Sequence, residues 1–597
     1  MKLNLDFIDE AYVDIAKDDE KKIIENYIDK YDDTNYDAYF GEQISEKEMY
    51  YLSLLNTNIL NWYPFNPKDS ILEVGGGLGQ LTGFLADKAK EVVTIEPSLI
   101  QAQAIKKRHQ DKNNIEIIVG TVDKIKIEKK FDYVLLIGID AKIKDLFSTK
   151  TKFKEVLKEL EKYLKDDGRF IIAVDNKLGI RYFAGEEEAI LNKKFASVDN
   201  YCREPEEIES FTRSYLEKVL KKRDYNYIFY YPLPDYRLPN VIFSEKCLPD
   251  YHTFERYIPY HTENAAIMFN ELTAFKSILK EDKSSFRIFT NSFLVEVSKK
   301  ELHQKYNCIS YNNIRKKEYR LMTKIGDDFV EKEIADSKAE EHYNNIKSNI
   351  ELLEKNNLNT LDSIKDEKII SKYISQEQRL DKVLVQYIND EETQKMEELI
   401  EKYTEILFKN TYEENDYNNT IFAKYSIEIE DKSIIKNLHF IKKGLWDLIF
   451  QNCFVVDNEL YFFDQEWIED SVPAEYVLYR AFYYTIPLRK EFFISEDKFG
   501  LKPFIPIFEK LDSQLQQSIF DKKMWDFYYK DKYYNLDATK QEVINLNIQK
   551  SALEADRDRY KEELEKVSKA YQQYVDSIRS RKAYKIVKFF RRGKKND

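Results

Sequence analysis

The chain has 597 residues, more than the roughly 100–200 of one compact domain, and its 43% hydrophobic and 14% aromatic residues exclude general disorder. The first residues lack the long apolar core of a signal peptide, and the sequence has no run of about 20 apolar residues, so we expect a cytoplasmic protein that does not span a membrane. A net charge of −13 argues against a chain that coats nucleic acid, and the four scattered cysteines form no disulfide or zinc motif.

Residues 1–65 are rich in acidic residues and helix-like, and we expect them to cap the domain that follows. From residue 69 to 173, short β-rich segments alternate with amphipathic helical stretches, which is typical of a parallel α/β sheet. The predicted strands are Ser70–Val74, Glu91–Ile95, Ile115–Val119, Tyr133–Ile137 and Arg169–Val174. We therefore predict an α/β domain over residues 66–282.

A glycine-rich turn follows the first predicted strand, within Ile71–Gly79. Gly75, Gly77 and Gly79 allow the backbone to turn tightly and to approach a ligand closely. Glu96 ends the second predicted strand, where a carboxylate can bind both ribose hydroxyls of a nucleoside. The turn and the acid together predict a nucleoside-containing cofactor.

The acid at Glu73 helps to choose between two cofactors. A carboxylate in this turn would repel the pyrophosphate of a dinucleotide, but not the sulfonium and amino-acid tail of S-adenosylmethionine (SAM). The pattern E-x-G-x-G-x-G resembles motif I of class I SAM-dependent methyltransferases, which have a Rossmann-like fold. That resemblance implies an adenine contact near Val122 and a cofactor-lining strand within Phe131–Asp140. The alternative is a similar sheet that binds no ligand.

The loops after the fifth predicted strand carry four basic residues to the ligand-bearing edge of the sheet. They are Lys177, Arg181, Arg213 and Arg237, and an anionic methyl acceptor would suit them. The alternative is that the arginines among them pair with the many surface acids of the protein. No histidine stands near motif I in the sequence, so no histidine base is expected. A phosphate acceptor, already an anion at neutral pH, would not need one.

A second domain, α+β in type, is predicted over residues 283–537. Its segment Leu445–Asn452 precedes a predicted β-hairpin, and Asp464 follows that hairpin. The spacing D-x-x-x-x-N and then Asp resembles the catalytic loop and metal-binding Asp of protein-kinase-like phosphotransferases. The resemblance implies that Asp447 orients an acceptor hydroxyl, and that Asn452 and Asp464 hold Mg²⁺.

Upstream, the resemblance implies that Lys332 binds the phosphates of ATP and that Glu340 or Glu341 is its ion-pair partner. The sequence departs from the kinase pattern in two places. The glycine-rich loop is reduced to Gly326, and Leu445-Trp-Asp447 replaces the usual His-x-Asp. The alternative is a kinase fold retained for binding alone.

Residues 538–578 carry a heptad pattern with a positions from Val543 to Ile578 and d positions from Leu546 to Tyr574. Nine of these eleven positions are apolar, which predicts a coiled coil and hence a homo-oligomer. The alternative is a lone surface helix. The tail, residues 579–597, has nine Lys or Arg and no acid before its last residue, and we expect it to bind an anionic membrane surface. Nucleic-acid binding and a solvated terminus are the alternatives.

The whole arrangement resembles the methyltransferase-kinase chain terminators of bacterial O-antigen polysaccharide synthesis. In that family the kinase phosphorylates the terminal sugar, the methyltransferase caps the phosphate, and the coiled coil connects the enzyme to the polymerase. The resemblance therefore implies a glycan acceptor, a glycosyltransferase partner, SAM, ATP and Mg²⁺ as cofactors, and a position at the inner face of the cell membrane. Two alternatives stay open: a sugar methyltransferase with an inactive kinase-like domain, and a scaffold with vestigial sites.

Overall fold

The computed structural model describes residues 1–580, apart from residues 13–14, 34, 43, 140–142, 149–150, 189, 203, 205–207, 250–267, 270, 486–496, 498 and 530–535. One compact unit comprises residues 1–265 and 270–533, and another comprises residues 266–269 and residue 534 onward. Among the described helices, none is both long and apolar enough to cross a bilayer.

The first nine strands of the described chain belong to one sheet. They are β1 (Lys2–Asn4), β2 (Ser70–Val74), β3 (Glu91–Glu96), β4 (Ile115–Val119), β5 (Phe131–Ile137), β6 (Leu164–Asp175), β7 (Asn226–Leu233), β8 (Val241–Ser244) and β9 (Ser292–Ser298). The parallel part has the order β1-β4-β3-β2-β5-β6. β2 is buried along its whole length, as expected of an inner parallel strand. Ligands of such sheets bind at the carboxyl ends of the strands where the strand order reverses, here beside β2.

Helices join and flank these strands. They are α1 (Asp18–Ile23), α2 (Glu46–Leu52), α3 (Thr82–Lys88), α4 (Leu99–Arg108), α5 (Ile143–Leu146), α6 (Phe153–Glu161), α7 (Ile180–Phe183), α8 (Arg213–Lys221), α9 (Glu271–Glu281) and α10 (Phe286–Phe289). α2 begins at a capping box, in which Ser45 accepts from the backbone N–H of Glu48 and the Glu48 side chain accepts from that of Ser45. Ser98 caps α4 in the same way, by accepting from the N–H of Gln101.

The strand β9 lies between β6 and β7 and is antiparallel to both. All seven of its residues are buried. The boundary predicted after residue 282 places this segment in the second domain. Its hydrogen bonds instead place it between strands β6 and β7 of the first domain. Local sequence identifies a buried strand but does not say which distant strand it pairs with, and this explains the difference.

The second half of the chain continues with further strands and helices. The strands are β10 (Cys308–Tyr311), β11 (Leu321–Ile325), β12 (Phe329–Ile334), β13 (Asp362–Lys365), β14 (Lys368–Lys372), β15 (Thr411–Glu413), β16 (His439–Leu445), β17 (Cys453–Val456), β18 (Glu459–Phe462) and β19 (Ile468–Pro473). The helices are α11 (Glu340–Lys355), α12 (Leu380–Asn389), α13 (Thr393–Phe408), α14 (Ile421–Lys424), α15 (Ala474–Tyr483), α16 (Ile505–Ile519) and α17 (Lys522–Tyr529). The β17–β18 hairpin turns at Asp457 and Asn458, whose positive φ angles of 50° and 63° match a tight two-residue turn.

The two halves share a sheet. In the described residues it has 14 strands, which continue from β9 in the order β7-β8-β10-β11-β12-β14-β13. β8 and β10 form the junction, with Phe243 opposite Cys308 and Val241 opposite Ser310. The helix α11 follows β12 and precedes β13, so it returns the chain to the far edge of this sheet.

The second unit contains α18 (Leu536–Ser580), a helix of 45 residues that covers the predicted heptads. The apolar side chains described at heptad positions are largely exposed, and Leu553 and Leu564 are each 71% exposed. The helix agrees with the sequence, and its pairing into a coiled coil stays a prediction. Residues 581–597 of the basic tail lie outside the described residues.

Candidate functional site

The glycine turn after β2 depends on left-handed backbone angles. Gly75, Gly77 and Gly79 have φ of 82°, 58° and 76°, a region that costs other residues about 1–2 kcal/mol each. At Gly76 the constraint is space, because a Cβ atom would lie 2.5 Å from Oγ1 of Thr94. The turn therefore requires glycine and brings bare backbone to the carboxyl end of β2.

Two buried acids hold this turn. Glu73 accepts a hydrogen bond of 2.6 Å from the Thr82 hydroxyl. Glu96, at the end of β3, accepts from the backbone N–H of Gly77 at 2.8 Å through Oε2 and from that of Ser98 at 3.1 Å through Oε1. The structure thus brings the predicted cofactor residues of β2 and β3 into direct contact.

The predicted adenine region lies next to the N-terminal segment. Val122 is buried after β4, and its backbone N–H donates to the carbonyl of Leu146 at 2.9 Å. A Cβ atom at Gly120 would lie 2.6 Å from the carbonyl oxygen of Phe7. Asp9 pairs with Lys124, which fastens the same segment. Sequence reasoning missed this contact because it joins residues more than a hundred positions apart.

In the folded chain His109 lies beside motif I, although it stands 30 positions after Gly79 in the sequence. Its Nε2 is 2.7 Å from the carbonyl oxygen of Gly79, and its ring fills the space beside Gly83. Burial, with the nearby Arg108 charge, lowers the pKa of His109 to about 4. The ring is therefore neutral at physiological pH and packs against the turn. Its low pKa makes it a poor general base.

Two of the predicted acceptor-binding residues, Arg181 and Arg237, share one carboxylate. Nη1 of Arg181 and Nη1 of Arg237 donate to Oδ2 of Asp235 at 2.8 Å and 2.9 Å. Arg237 also pairs with both carboxylate oxygens of Asp175, at the carboxyl end of β6. The Arg181 side chain is only 3% exposed. Both arginines thus pair with buried carboxylates, and not with the surface acids that the alternative interpretation of the sequence named.

The other two predicted acceptor residues, Arg213 and Lys177, have other hydrogen-bond partners. Arg213 donates to Glu217 at 2.9 Å and also contacts Glu245. Lys177 lines a small cavity together with Asp175, and its ammonium group donates to the Asn200 side chain. Burial lowers the pKa of Lys177. Each of the four basic side chains thus contacts a carboxylate or an amide of the protein itself.

Glu46, a carboxylate that the sequence did not single out, interacts with the charged side chains around Arg181. Burial, with the charges of Glu186 and Asp235, raises the pKa of Glu46 to about 7. Glu46 begins α2, and one turn later the hydroxyl of Tyr50 accepts from the Gln80 side chain of the glycine-rich turn. The helix α2 therefore places this acid close to the cofactor turn.

The residue next to Asp235 reaches the carboxyl end of β5. A Cβ atom at Gly138 would lie 2.9 Å from the hydroxyl of Tyr236. The guanidinium of Arg237 lies 4.4 Å from the centre of the Tyr236 ring. The edge beyond β5 and β6 is therefore lined by a tyrosine hydroxyl and by paired charges in which carboxylates outnumber guanidiniums.

In the second half, Lys332 of β12 lies between two carboxylates. Its ammonium group contacts Asp464 and Glu466. Glu340 and Glu341, expected as its partners, are exposed on α11. The partner acid comes from the segment after the β17–β18 hairpin instead. Sequence spacing alone did not reveal that Glu466 is a partner of Lys332, because the two residues are 134 positions apart.

The predicted catalytic loop is compact. Oδ1 of Asp447 accepts from Nη1 of Arg480 at 2.9 Å, and the backbone carbonyl of Asp447 accepts from Asn452 and from Gln465, each at 3.1 Å. These contacts bring the loop beside the Asp464 segment. Gly326 lies in the β11–β12 turn, where a Cβ atom would strike the Phe329 ring, so its role is to allow packing.

The comparisons concern the first sheet. A methyltransferase domain model matches residues 72–172. The probable ribosomal RNA small subunit methyltransferase A of Methanosarcina barkeri is 41% identical over 70 residues, which is 12% of this chain and 24% of that protein. The ribosomal RNA small subunit methyltransferase A of Alkaliphilus metalliredigens is 26% identical over 149 residues, 24% of this chain and 50% of that protein. The chain thus spans half or less of the length of these relatives.

Among solved structures, the YcgJ protein of Bacillus subtilis is 12% identical, with a TM-score of 0.25, and the match covers 42% of this chain and 99% of that one. The phosphoethanolamine N-methyltransferase 1 of Haemonchus contortus, in complex with phosphoethanolamine and S-adenosylhomocysteine, is 16% identical with a TM-score of 0.25. That match covers 37% of this chain and 45% of the other.

The domain match and the geometry of the site agree. Residues 72–172 form a class I SAM-dependent methyltransferase domain, with the glycine turn after β2 and an acid at the end of β3. The chain therefore contains a SAM-dependent methyltransferase domain, and the Rossmann-like part of the predicted fold is confirmed.

Proposed function

We propose that this chain is a SAM-dependent methyltransferase that also carries an ATP-dependent kinase site, and that the two sites modify the end of a bacterial surface polysaccharide. The observation that carries the kinase half is the contact of Lys332 with Asp464, close to the loop that contains Asp447 and Asn452. Lysine on a strand and aspartate after a hairpin are the groups with which protein kinases bind the phosphates and metal of ATP.

Mg²⁺ with ATP fits the donors that are present. Asp464 is 41% exposed, so its carboxylate is open to a ligand, and Asn452 supplies an amide oxygen nearby in the chain. In the described residues no cluster of three or more acidic, histidine or cysteine side chains is arranged for a metal. Mg²⁺ is commonly held by one or two protein groups together with substrate phosphates, which matches this pair.

Calorimetric titration of Mg-ATP into the full chain tests the kinase half, because it requires no acceptor. Asp464→Asn should remove magnesium-dependent binding. Asp457→Asn, in the exposed β17–β18 turn, is the matched control and should bind as the unaltered protein does. Absence of binding in the unaltered protein would contradict the kinase proposal.

The glycan and membrane parts of the proposal are supported by the sequence resemblance and by the exposed apolar positions of α18. We infer a homo-oligomer that meets a glycosyltransferase through this helix and lies at the inner face of the cell membrane. The nine basic residues of the tail supply charge for anionic lipid. Deleting residues 579–597 should release the protein from anionic liposomes in a flotation assay, and unchanged flotation would exclude the tail as the anchor.

One observation favours a second function, direct methylation of a sugar hydroxyl. The acceptor side of the sheet is rich in carboxylates, and Arg181 and Arg237 are paired with them, so a phosphate would meet little free positive charge. Glu46, with a pKa of about 7, is suited to accept a hydroxyl proton.

The requirement for ATP separates the two functions. Labelled SAM is supplied to the protein with a lipid-linked glycan fraction, with and without Mg-ATP. Methyl incorporation that depends on ATP and is lost in Asp464→Asn supports phosphorylation before methylation. Incorporation that is independent of ATP supports direct methylation of the sugar.

A further inference from the structure

Glu466 is an almost fully buried acid between two cations. Its carboxylate contacts Lys332 of β12 and Arg315 of the segment between β10 and β11. Its side chain is 3% exposed. Glu466 thus lies between two positively charged side chains, and both contact its carboxylate.

Aromatic packing fixes the segment that carries Glu466. The next residue, Trp467, stacks on His342 of α11 with ring centres 4.6 Å apart and on Trp446 with centres 5.9 Å apart. Tyr319 packs edge-on against Trp467 at 5.0 Å. The helix α11 thus supports this segment through an aromatic ring, while its acids remain in solvent.

Arg315 is held in place from two sides. Its guanidinium lies 5.3 Å from the centre of the Trp467 ring. The neighbouring Lys316 donates its backbone N–H to the carbonyl of Ile519 at 2.9 Å, which ties the β10–β11 segment to α16. This segment, residues 312–320, contains no glycine. It therefore does not have the composition of a glycine-rich phosphate loop, which binds through backbone amides.

We propose that Glu466 is a positioning residue of the nucleotide site, which holds Lys332 and Arg315 side by side so that both contact the phosphates of Mg-ATP. In this proposal the Arg315 side chain donates the hydrogen bonds to the phosphates that the backbone amides of a glycine-rich loop donate in other kinases. This proposal rests on the proposed kinase function and names the residues that bind its nucleotide.

The two acids around Lys332 differ in exposure, and this difference suits two different roles at the nucleotide site. Asp464 is 41% exposed and Glu466 is 3% exposed. An exposed carboxylate is able to turn from Lys332 toward Mg²⁺ when the nucleotide binds. The buried carboxylate keeps its contacts with both cations, because leaving either cation unpaired would be costly.

Calorimetric titration of the full chain with Mg-ATP and, separately, with adenosine tests the proposal. Arg315→Gln and Glu466→Gln should each bind Mg-ATP about tenfold more weakly, the loss expected for one charge-assisted hydrogen bond. Adenosine binding should stay unchanged, because the affected groups contact only phosphates. Lys316→Gln, on the same segment, and Glu341→Gln, at an exposed acid of α11, are the controls and should keep their Mg-ATP affinity.

Three results would overturn the proposal. If Arg315→Gln binds Mg-ATP as tightly as the unaltered protein does, Arg315 does not contact the phosphates. Equal weakening of Mg-ATP and adenosine shows a merely structural role. If the unaltered protein binds no Mg-ATP, the kinase function is wrong and this proposal falls with it. The first two results, in contrast, refute only this proposal and leave the kinase function in place. If Glu466→Gln does not fold, as its melting curve would show, Arg315→Gln decides alone.

Discussion

At the scale of single residues, buried ion pairs organise both candidate sites. Asp235 is completely buried, and Arg181 beside it is nearly so. Removing one partner of such a pair typically costs about 3–5 kcal/mol, because the other charge is left unpaired away from water. These arginines therefore stabilise the edge beyond β6 whichever acceptor binds there.

Glu96 gives a direct test of the cofactor site. Glu96→Gln keeps the size of the side chain but removes the charge that accepts from Gly77 and that would bind the ribose hydroxyls. We expect SAM affinity in calorimetry to fall at least about tenfold, as for a lost charge-assisted hydrogen bond. Glu91→Gln, at the start of the same strand, is the control. Unchanged affinity for SAM in Glu96→Gln would refute this role of Glu96.

Glu46 gives a prediction that depends on pH. Between its ordinary pKa of 4.5 and about 7, the folded protein keeps a proton that the unfolded chain has lost, so this residue makes stability fall as pH rises through that interval. Glu46→Gln mimics the protonated acid. It should raise the melting temperature by about 2–4 °C at pH 8 and leave it unchanged at pH 5. The exposed Glu42→Gln serves as the control, and an equal shift at both pH values would count against the raised pKa.

At the scale of elements, the sequence predicted the local structure of the methyltransferase sheet well. The strands at Ser70–Val74 and Ile115–Val119 agree with the prediction to the residue, because short apolar runs between turn signals mark buried parallel strands. The glycine turn was also predictable, because positive φ angles select glycine.

What the sequence could not predict are contacts between distant elements. Asp235, which pairs with Arg181, and Glu466, which pairs with Lys332, lie 54 and 134 positions away from them. Nothing in local composition selects these two among the 107 acids of the chain. The role of Glu46 also depends on how α2 packs against the glycine turn. Tertiary packing decides such pairs, so they become visible only in the folded chain.

The helix α18 gives a prediction at the same scale. An exposed row of apolar residues at heptad spacing is stabilised when it pairs with another helix. Leu564→Asp places a charge in that row and should lower the molar mass measured by light scattering to that of a monomer. Lys569→Asp introduces the same side chain outside the heptad row and should not. A monomeric unaltered protein would rule out a coiled coil between copies of the chain.

At the scale of the whole molecule, the two halves share their interior as well as a sheet. The hydroxyl of Tyr311, in β10, donates to the carbonyl of Asn58 at 2.8 Å. Met524 and Tyr528 of α17 pack in one apolar cluster with Ile28 and Leu52 from the start of the chain. The first 65 residues thus contact the end of the second half as well as the methyltransferase sheet.

This shared interior predicts that the methyltransferase half is not stable alone. A fragment that ends at residue 282 lacks β9 and leaves the inner edges of β6 and β7 unpaired. We expect it to aggregate and to show no cooperative melting by circular dichroism. A chain that ends at residue 529 keeps the sheet and should melt cooperatively. A soluble, cooperatively melting 1–282 fragment would show that the sheet does not need β9.

The position of β9 also sets an order of events during synthesis. A ribosome releases β6 about 120 residues before β9, the strand that must enter the sheet beside it. This interval is roughly 6 to 24 s at about 5–20 residues per second. Throughout that interval the nascent chain exposes open strand edges, which are prone to pair with other chains. The fold therefore makes its own production sensitive to translation speed and to chaperones that bind nascent chains.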